Sequence, residues 1–113
     1  MSFGDNMTLG QALEICKAGG RVTRRGWNGR DMWVTRSPGH DALLAACFWA
    51  GPNREYAERN GGTAKVLPCY TMKTADGSIL MGWVASQSDM DATDWEEVTS
   101  WDWPASPHPG DRP

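Results

Sequence analysis

The stretch that decides the fold runs from Tyr70 to Val98 and reads YTMKTADGSILMGWVASQSDMDATDWEEV. Its Asp76-Gly77 pair is typical of the turn of a β-hairpin, because the positive φ angles that Gly tolerates match the twist of paired strands. We therefore predict strands over 66–73 and 78–85. Both faces of the second strand are largely apolar, which predicts that it is covered on both sides.

The hairpin is followed by a helix signal. Ser86 and Asp89 have the Ser-x-x-Asp spacing in which two side chains cap the first turn of a helix. A short strand is predicted behind this turn, at 95–99. The whole stretch is thus expected to fold as strand, turn, strand, helical turn and strand.

Upstream, Thr8 and Gln11 form a second capping pair. Apolar residues recur at helical spacing behind it, which predicts an amphipathic helix over 8–18 that ends at Gly19-Gly20. Two further strands, at 21–25 and 31–37, are expected to pair with each other.

The middle of the chain is predicted to contain two short helices, over 41–50 with Asp41 as its cap and over 53–60 with Asn53 as its cap. We interpret 38–64 as a helical insertion between strands. The predicted fold class is α+β, a small and mainly antiparallel β-sheet with short helices. The predicted organisation is a single domain over 1–99, followed by a flexible, proline-rich C-terminal tail over 100–113.

Composition and net charge narrow the functional classes to which the protein can belong. The chain has 113 residues, a net charge of -3, three cysteines and two histidines. This charge does not suit a DNA- or RNA-binding protein, and no apolar run approaches the length that crosses a membrane. With an odd number of widely spaced cysteines and no secretion signal, reduced thiols and a cytoplasmic location are expected.

The charges are unevenly distributed. Residues 1–36 carry six Lys/Arg against three Asp/Glu, whereas residues 73–113 carry two against eight. In one interpretation both sets are solvated faces. In the other, the basic and acidic parts meet, either at a subunit contact or around a ligand that carries phosphates and hydroxyls.

Catalytic patterns are weak in this sequence. Nucleophilic catalysis needs a base beside the nucleophile, and His40 and His108 lie in the insertion and in the predicted tail. The crowded acids Asp89, Asp91 and Asp94 lack the glycine and the distal glutamate of a calcium loop. No phosphate-binding glycine motif occurs either. We therefore expect neither an enzyme nor a metal or cofactor site.

The composition around Trp27 instead suits a binding site. Arg24, Arg25 and Arg30 surround the segment Trp27-Asn28-Gly29. Arginine donates bidentate hydrogen bonds to phosphates, an indole stacks on a base, and an asparagine amide can read a base edge. Equally, Trp27 can be a core residue and Asn28 a turn residue. Asp94 can accept from a ribose hydroxyl or simply make a local hydrogen bond.

Two blocks, TLGQALEICKAGGRVTRRGWNGRDMWV at 8–34 and the stretch at 70–98, resemble the second type of the phage Thoeris anti-defence family, formerly a domain of unknown function. The resemblance implies a phage or prophage sponge, a homotetramer that binds a cyclic ADP-ribose-type signal of TIR enzymes without cleaving it. Cyclic dinucleotides are a further implied ligand class. The alternative is a protein interaction module that inhibits a host defence protein directly.

The resemblance also implies a set of ligand-binding residues, divided between the two blocks and expected to meet across a subunit interface. Residue chemistry adds Arg25 to this set. The predicted ligand-binding residues are Arg25, Trp27, Asn28, Gly29, Met32, Trp33, Gln87, Ser88, Asp89, Met90 and Asp94.

Overall fold

The computed structural model describes residues 5–101, which form two compact units. The first unit combines the chain up to Arg36 with the chain from Tyr70 onward, and the second unit is Ser37–Cys69. The tail predicted over 100–113 lies outside the described residues from position 102. The α+β prediction is confirmed, since antiparallel strands and short helices make up both units.

The helices and strands of the first unit are α1 (Leu9–Lys17), β1 (Arg21–Arg24), β2 (Trp33–Ser37), β5 (Cys69–Lys73), β6 (Ile79–Met81), α3 (Gln87–Asp91) and β7 (Trp95–Val98). The strands form a five-stranded sheet in the order β6-β5-β2-β1-β7. The registers Val22↔Val34 and Arg24↔Trp95 fix β1 between β2 and β7 in antiparallel pairing. The predicted pairing of the first two strands is therefore confirmed.

Both predicted capping boxes are present. The Thr8 hydroxyl accepts from the Gln11 N–H at the start of α1, and the Ser86 hydroxyl accepts from the Asp89 N–H at the start of α3. Gly19, with φ of 96°, follows α1 in the left-handed region that ends a helix. The core lies between α1 and the sheet and contains Met7, Ala12, Cys16, Val22, Val34 and Trp95.

The hairpin differs from its prediction in two ways. The Asp76-Gly77 pair lies in a longer loop between β5 and β6, because the Thr74 N–H donates to the Ser78 carbonyl at 2.8 Å and only Gly77 has positive φ. The second strand is shorter than 78–85, and the expected cover on both sides is wrong for the single chain. All three residues of β6 are exposed at the edge of the sheet.

The second unit contains strands as well as a helix: β3 (His40–Leu44), a 3-10 turn (Ala45–Cys47), α2 (Gly51–Arg59) and β4 (Thr63–Val66). The helix predicted over 41–50 is wrong, because Leu43 and Leu44 pair with Ala64 and Thr63 in a two-stranded antiparallel sheet. Cross-strand pairing here overrides the helical preference of Ala and Leu.

The helix α2 begins earlier than predicted. Its N-cap is Ala50, which makes no side-chain capping bond, and Pro52 occupies the first turn, where its missing N–H costs nothing. Asn53 therefore lies inside the helix and does not cap it. The strand predicted over 66–73 is also divided, because Pro68 separates β4 from β5.

Candidate functional site

The candidate site is centred on Arg24, which extends from β1 toward two acids near α3. Its Nη1 donates to Asp89 Oδ1 at 2.9 Å, and its Nε donates to Asp94 Oδ1 at 2.9 Å. The side chains of Arg24, Asp89 and Asp94 are only 14%, 8% and 27% exposed. Because water screens these ion pairs little, removing Arg24 would leave two acids without their cation.

Asp89 is the most connected of these groups. Its Oδ1 also accepts from Trp27 Nε1 at 2.8 Å, while its Oδ2 accepts from the Ser86 N–H at 2.9 Å. Burial alone would raise the pKa of Asp89, but the hydrogen bonds from Ser86, Trp27 and Arg24 together lower it. The carboxylate is thus held ionised.

Asp94 ties the loop after β1 to the segment after α3. Its Oδ2 accepts from the Gly26 N–H at 2.7 Å, and its carbonyl accepts from the Arg25 N–H at 3.3 Å. A Cβ at Gly26 would lie 2.7 Å from that same Oδ2, so glycine permits this approach. The hydrogen bond from Arg24 and the one from Gly26 lower the pKa of Asp94.

The charge asymmetry of the sequence is resolved by these contacts. The basic first block meets the acidic second block inside one chain, through Arg24 and also through Arg25, whose Nη1 donates to Glu96 Oε2 at 3.3 Å. The Arg25 guanidinium also donates to the Asn6 side chain. Within the described residues, the two blocks therefore need neither a subunit contact nor a ligand to neutralise each other.

Trp27 lies at the edge of the core, in a cluster with two other indoles. Its ring meets Trp95 edge to face, with centroids 5.2 Å apart, and Trp83 at 6.5 Å. Such edge-to-face pairs add to the free energy of apolar burial. Trp27 thus packs in the core cluster and donates to Asp89; a stacking role toward a ligand stays a prediction.

The other predicted residues of the first block lie on an exposed loop. Asn28 and Gly29 are exposed, and Met32 is half-buried. A Cβ at Gly29 would lie 2.8 Å from the Met32 sulfur, so the glycine allows the loop to close on that side chain. Lys73 Nζ donates to the Asp31 carbonyl at 2.9 Å and anchors the far end of the loop.

Three predicted residues of the second block share one open groove. Gln87, Ser88 and Met90, together with Asp91, line a cavity of about 460 Å³ beside α3. This volume lies within the range of small-molecule sites, and the lining offers an amide, a hydroxyl, a carboxylate and an apolar thioether. Asp89, by contrast, points inward to Arg24.

Trp33 is separated from the other predicted residues. Val34 faces the core, so the neighbouring Trp33 projects from the opposite face of the sheet. There its ring contacts Trp101 and the Arg21 guanidinium. The predicted set therefore divides into a network around Asp89, the loop after β1 and a groove beside α3. Arg25 pairs with Glu96 outside that network, and Trp33 lies on the opposite face of the sheet.

Sequence reasoning missed Arg24 and Asp91 as members of the site. Arg24 is one of three arginines near Trp27, and its residue type alone does not distinguish it from Arg25. Alternation along β1 offers a signal, since Arg24 lies two residues after the buried Val22 and so shares its face.

Comparisons with known proteins identify the family of this chain. Residues 7–98 match the family model of the Thoeris anti-defense 2-like domain. The chain is also 39% identical over 93 residues to "Thoeris anti-defense 2" of Bacillus phage SP01, which covers 82% of this chain and 96% of that protein. The chain belongs to the Thoeris anti-defense 2-like family, and its class is that of phage inhibitors of Thoeris defence.

The described residues offer neither a metal cluster nor a membrane-spanning helix. Within residues 5–101, no group of three or more His, Cys, Asp or Glu residues is placed to hold a metal ion. No helix in this range has the length and apolar character needed to span a membrane. The three cysteines are free thiols, and burial raises the pKa of Cys16 to about 11.

Proposed function

We propose that the protein inhibits Thoeris defence by sequestering a cyclic ADP-ribose-type nucleotide made by TIR enzymes, without cleaving it. The observation that carries the proposal is the network of Arg24, Asp89 and Asp94. It fixes the loop that contains Asn28 and Gly29 and the helix that presents Gln87 and Ser88 in one rigid framework. A framework that is formed in advance reduces the entropy lost on binding.

The groove beside α3 is the proposed capture site. Its amide and hydroxyl suit ribose and base edges, and its volume of about 460 Å³ is adequate for a nucleotide. Because the groove is open, a second copy of the chain is proposed to close it, in a homotetramer that would assemble in the cytoplasm of the host. The exposed apolar side chains of Val84, Ile79 and Met81 are available for such a contact.

The free energies of typical nucleotide contacts are consistent with sequestration. Competition with a sensor requires nanomolar binding, about -12 kcal/mol. A stacked base contributes about 1–3 kcal/mol, and each hydrogen bond to a charged group contributes about 1.5–3 kcal/mol. Several such contacts reach the required range only in a closed pocket, since the cost of association must be subtracted.

The lowered pKa values of Asp89 and Asp94 support a role in binding without catalysis. A general acid or base works best with a pKa near the operating pH. The pKa values of Asp89 and Asp94 are both lowered, and their oxygens are occupied by Arg24, Trp27 and backbone N–H groups. These acids therefore serve to position the two halves of the site.

The test is native mass spectrometry of the protein with cyclic ADP-ribose and with the product mixture of a TIR enzyme. We expect a tetramer that carries the added mass of intact nucleotide. Ser88→Trp, which fills the groove, should abolish the added mass. Ser78→Trp, on the exposed hairpin loop, is the matched control and should retain it. Capture that survives in Ser88→Trp would contradict the proposed site.

Cyclic dinucleotides are a second proposed ligand class, taken from the family resemblance. The same spectra with cyclic di-GMP and cyclic GMP-AMP test this. Added mass with these ligands would support the extension, and capture of the TIR product alone would restrict the protein to ADP-ribose-type signals.

The alternative function is direct inhibition of a host defence protein. The second unit favours it, because Trp49 is 90% exposed and Leu44, Tyr56 and Leu67 are exposed as well. Exposed aromatic side chains are enriched at protein interfaces. Pull-down of purified TIR enzyme or sensor protein by the nucleotide-free protein, lost in Trp49→Ser, would support this alternative over sequestration.

A further inference from the structure

The face of the five-stranded sheet that lies opposite the Asp89 network carries a second set of aromatic and basic residues. Side chains alternate along a strand, so Arg21 and Trp33 project away from the face that buries Val22 and Val34. Trp101, which follows β7, lies against the same face. This set takes no part in the network around Asp89.

These residues form a groove of about 410 Å³, here named the Arg21 groove. The residues that line it include Arg21, Trp33, Glu97, Thr99 and Trp101. The Arg21 guanidinium lies 3.8 Å from the centroid of Trp101 and 5.3 Å from that of Trp33. The two indoles meet edge to face at 6.0 Å. The arginine is thus oriented by two rings.

Arg21 forms no ion pair with an acid among residues 5–101. Burial lowers the pKa of Arg21, and no anion in that range offsets this effect. Glu97 lines the groove without pairing with the guanidinium. A half-buried guanidinium that has no acidic partner in this range can pair with an anionic ligand.

We propose that the Arg21 groove binds an organic anion joined to a flat ring. Arg21 would pair with a phosphate or a carboxylate, because its planar fork matches both groups. The ring would pack against Trp33 and Trp101, since indoles stack on flat heterocycles. Glu97 and Thr99 would accept hydrogen bonds from ligand hydroxyls. Nucleoside monophosphates carry all three groups, and aryl carboxylates carry two of them.

This site is separate from the proposed capture site beside α3. Trp101 lies outside residues 7–98, the range that matches the family model, so the groove depends on a residue beyond the matched range. Arg21→Gln is therefore expected to leave the capture of the TIR product unchanged. Failure of the proposed function would remove capture but not binding at the Arg21 groove, which keeps the two proposals distinguishable.

The test follows the indole N–H signals of the seven tryptophans in ¹H–¹⁵N spectra of the full chain. Signals are assigned with Trp33→Phe and Trp101→Phe. The anionic probes are adenosine monophosphate and benzoate, and the neutral controls are adenosine and benzamide. We expect the anions to shift the Trp33 and Trp101 signals with a Kd on the order of 1 mM or tighter, and the neutral controls to bind at least about fivefold more weakly.

The two anionic probes distinguish a site for nucleotide phosphates from a site for aryl anions in general. Binding of adenosine monophosphate alone would define a nucleotide site, whereas similar binding of benzoate would define a general aryl-anion site. The signal of the fully buried Trp95 reports the fold and should stay in place throughout.

Two kinds of variant test the role of charge. Arg21→Gln should abolish binding of the anions, and Arg21→Lys should weaken it about tenfold because the planar fork is lost. Thr99→Glu adds a negative charge to the groove without removing packing and should also weaken binding. Thr93→Glu, on the exposed loop after α3, is the matched control and should have no effect.

Three results would overturn the proposal. The first is the absence of any Trp33 or Trp101 shift at about 10 mM of either anion, well above the Kd of a specific site. The second is an equal response to the neutral controls. The third is anion binding that persists in both Arg21→Gln and Thr99→Glu.

Discussion

Two groups of tryptophans lie on opposite faces of the same sheet and differ in chemistry. Trp27, Trp83 and Trp95 pack on the core, where Trp27 donates to the buried carboxylate of Asp89. Trp33 and Trp101 are half-buried or exposed and hold the cation Arg21. The first group stabilises a framework whose polar atoms are satisfied. The second leaves a charge and open ring surface available to solvent, so the two groups should respond differently to mutation.

The largest expected effect is that of Asp89→Ala. This change leaves Arg24 paired with Asp94 but removes the acceptor of the Trp27 and Ser86 N–H groups. It should therefore lower the free energy of unfolding by about 3–4 kcal/mol, since each buried donor left without an acceptor costs about 1–3 kcal/mol. Urea unfolding measures the effect. Asp91→Ala, an exposed acid two residues away, is the control and should change stability by less than about 0.5 kcal/mol. Similar losses in both variants would refute the structural role of Asp89.

The tryptophan comparison is sharpened by replacing one indole on each face with phenylalanine. Trp27→Phe keeps most of the packing but removes the donor to Asp89, and it should cost about 1.5–3 kcal/mol. Trp33→Phe removes no hydrogen bond present among the described residues and should cost less than about 1 kcal/mol. The same urea series measures both. Equal costs would show that the N–H···Asp89 bond contributes nothing.

A smaller effect is expected in the dependence of stability on pH. The folded-state pKa values of Asp89 and Asp94 are lowered below the ordinary 3.8, so the unfolded chain binds more protons between the two values. The contribution of these acids is present above pH 3.8 and is lost as the pH falls through the folded values. Asp94→Asn should therefore make stability less sensitive to pH in this range, as followed by thermal unfolding. An unchanged pH profile would exclude Asp94 as a contributor.

The smallest effect is expected on the opposite face. Trp101→Ala removes one cation–π contact at a partly exposed site, which is worth about 0.5–1 kcal/mol. Calorimetry against Ser78→Ala, a loop control, measures this loss. A cost as large as that of Trp27→Phe would mean that the Arg21 groove is part of the core.

Local chemistry predicted much of the first unit. The two capping boxes, the stop at Gly19 and the pairing of β1 with β2 follow from side chains within a few residues of each other. The length of the hairpin loop could not be predicted from the Asp76-Gly77 pair alone. The backbone and side chain of Thr74 form hydrogen bonds with Ser78, and these bonds widen the turn.

Contacts between distant residues account for the remainder. Leu43 and Leu44 form a strand only because Thr63 and Ala64 pair with them, and composition alone favours a helix there. Arg24 meets Asp89 and Asp94 across 65 and 70 positions, so strand alternation can indicate its face but no local pattern identifies its two partners. The sequence therefore predicted the residue types of the site better than it predicted their roles.

The most direct test of sequestration is a release experiment. The protein is incubated with the product of a TIR enzyme, separated from free nucleotide and then denatured, and the released nucleotide is analysed by mass spectrometry. Sequestration predicts that the nucleotide is recovered intact, in an amount that scales with the protein, and that Ser88→Trp yields none. Recovery of a cleaved product would contradict the proposal, and so would wild-type protein that retains no nucleotide.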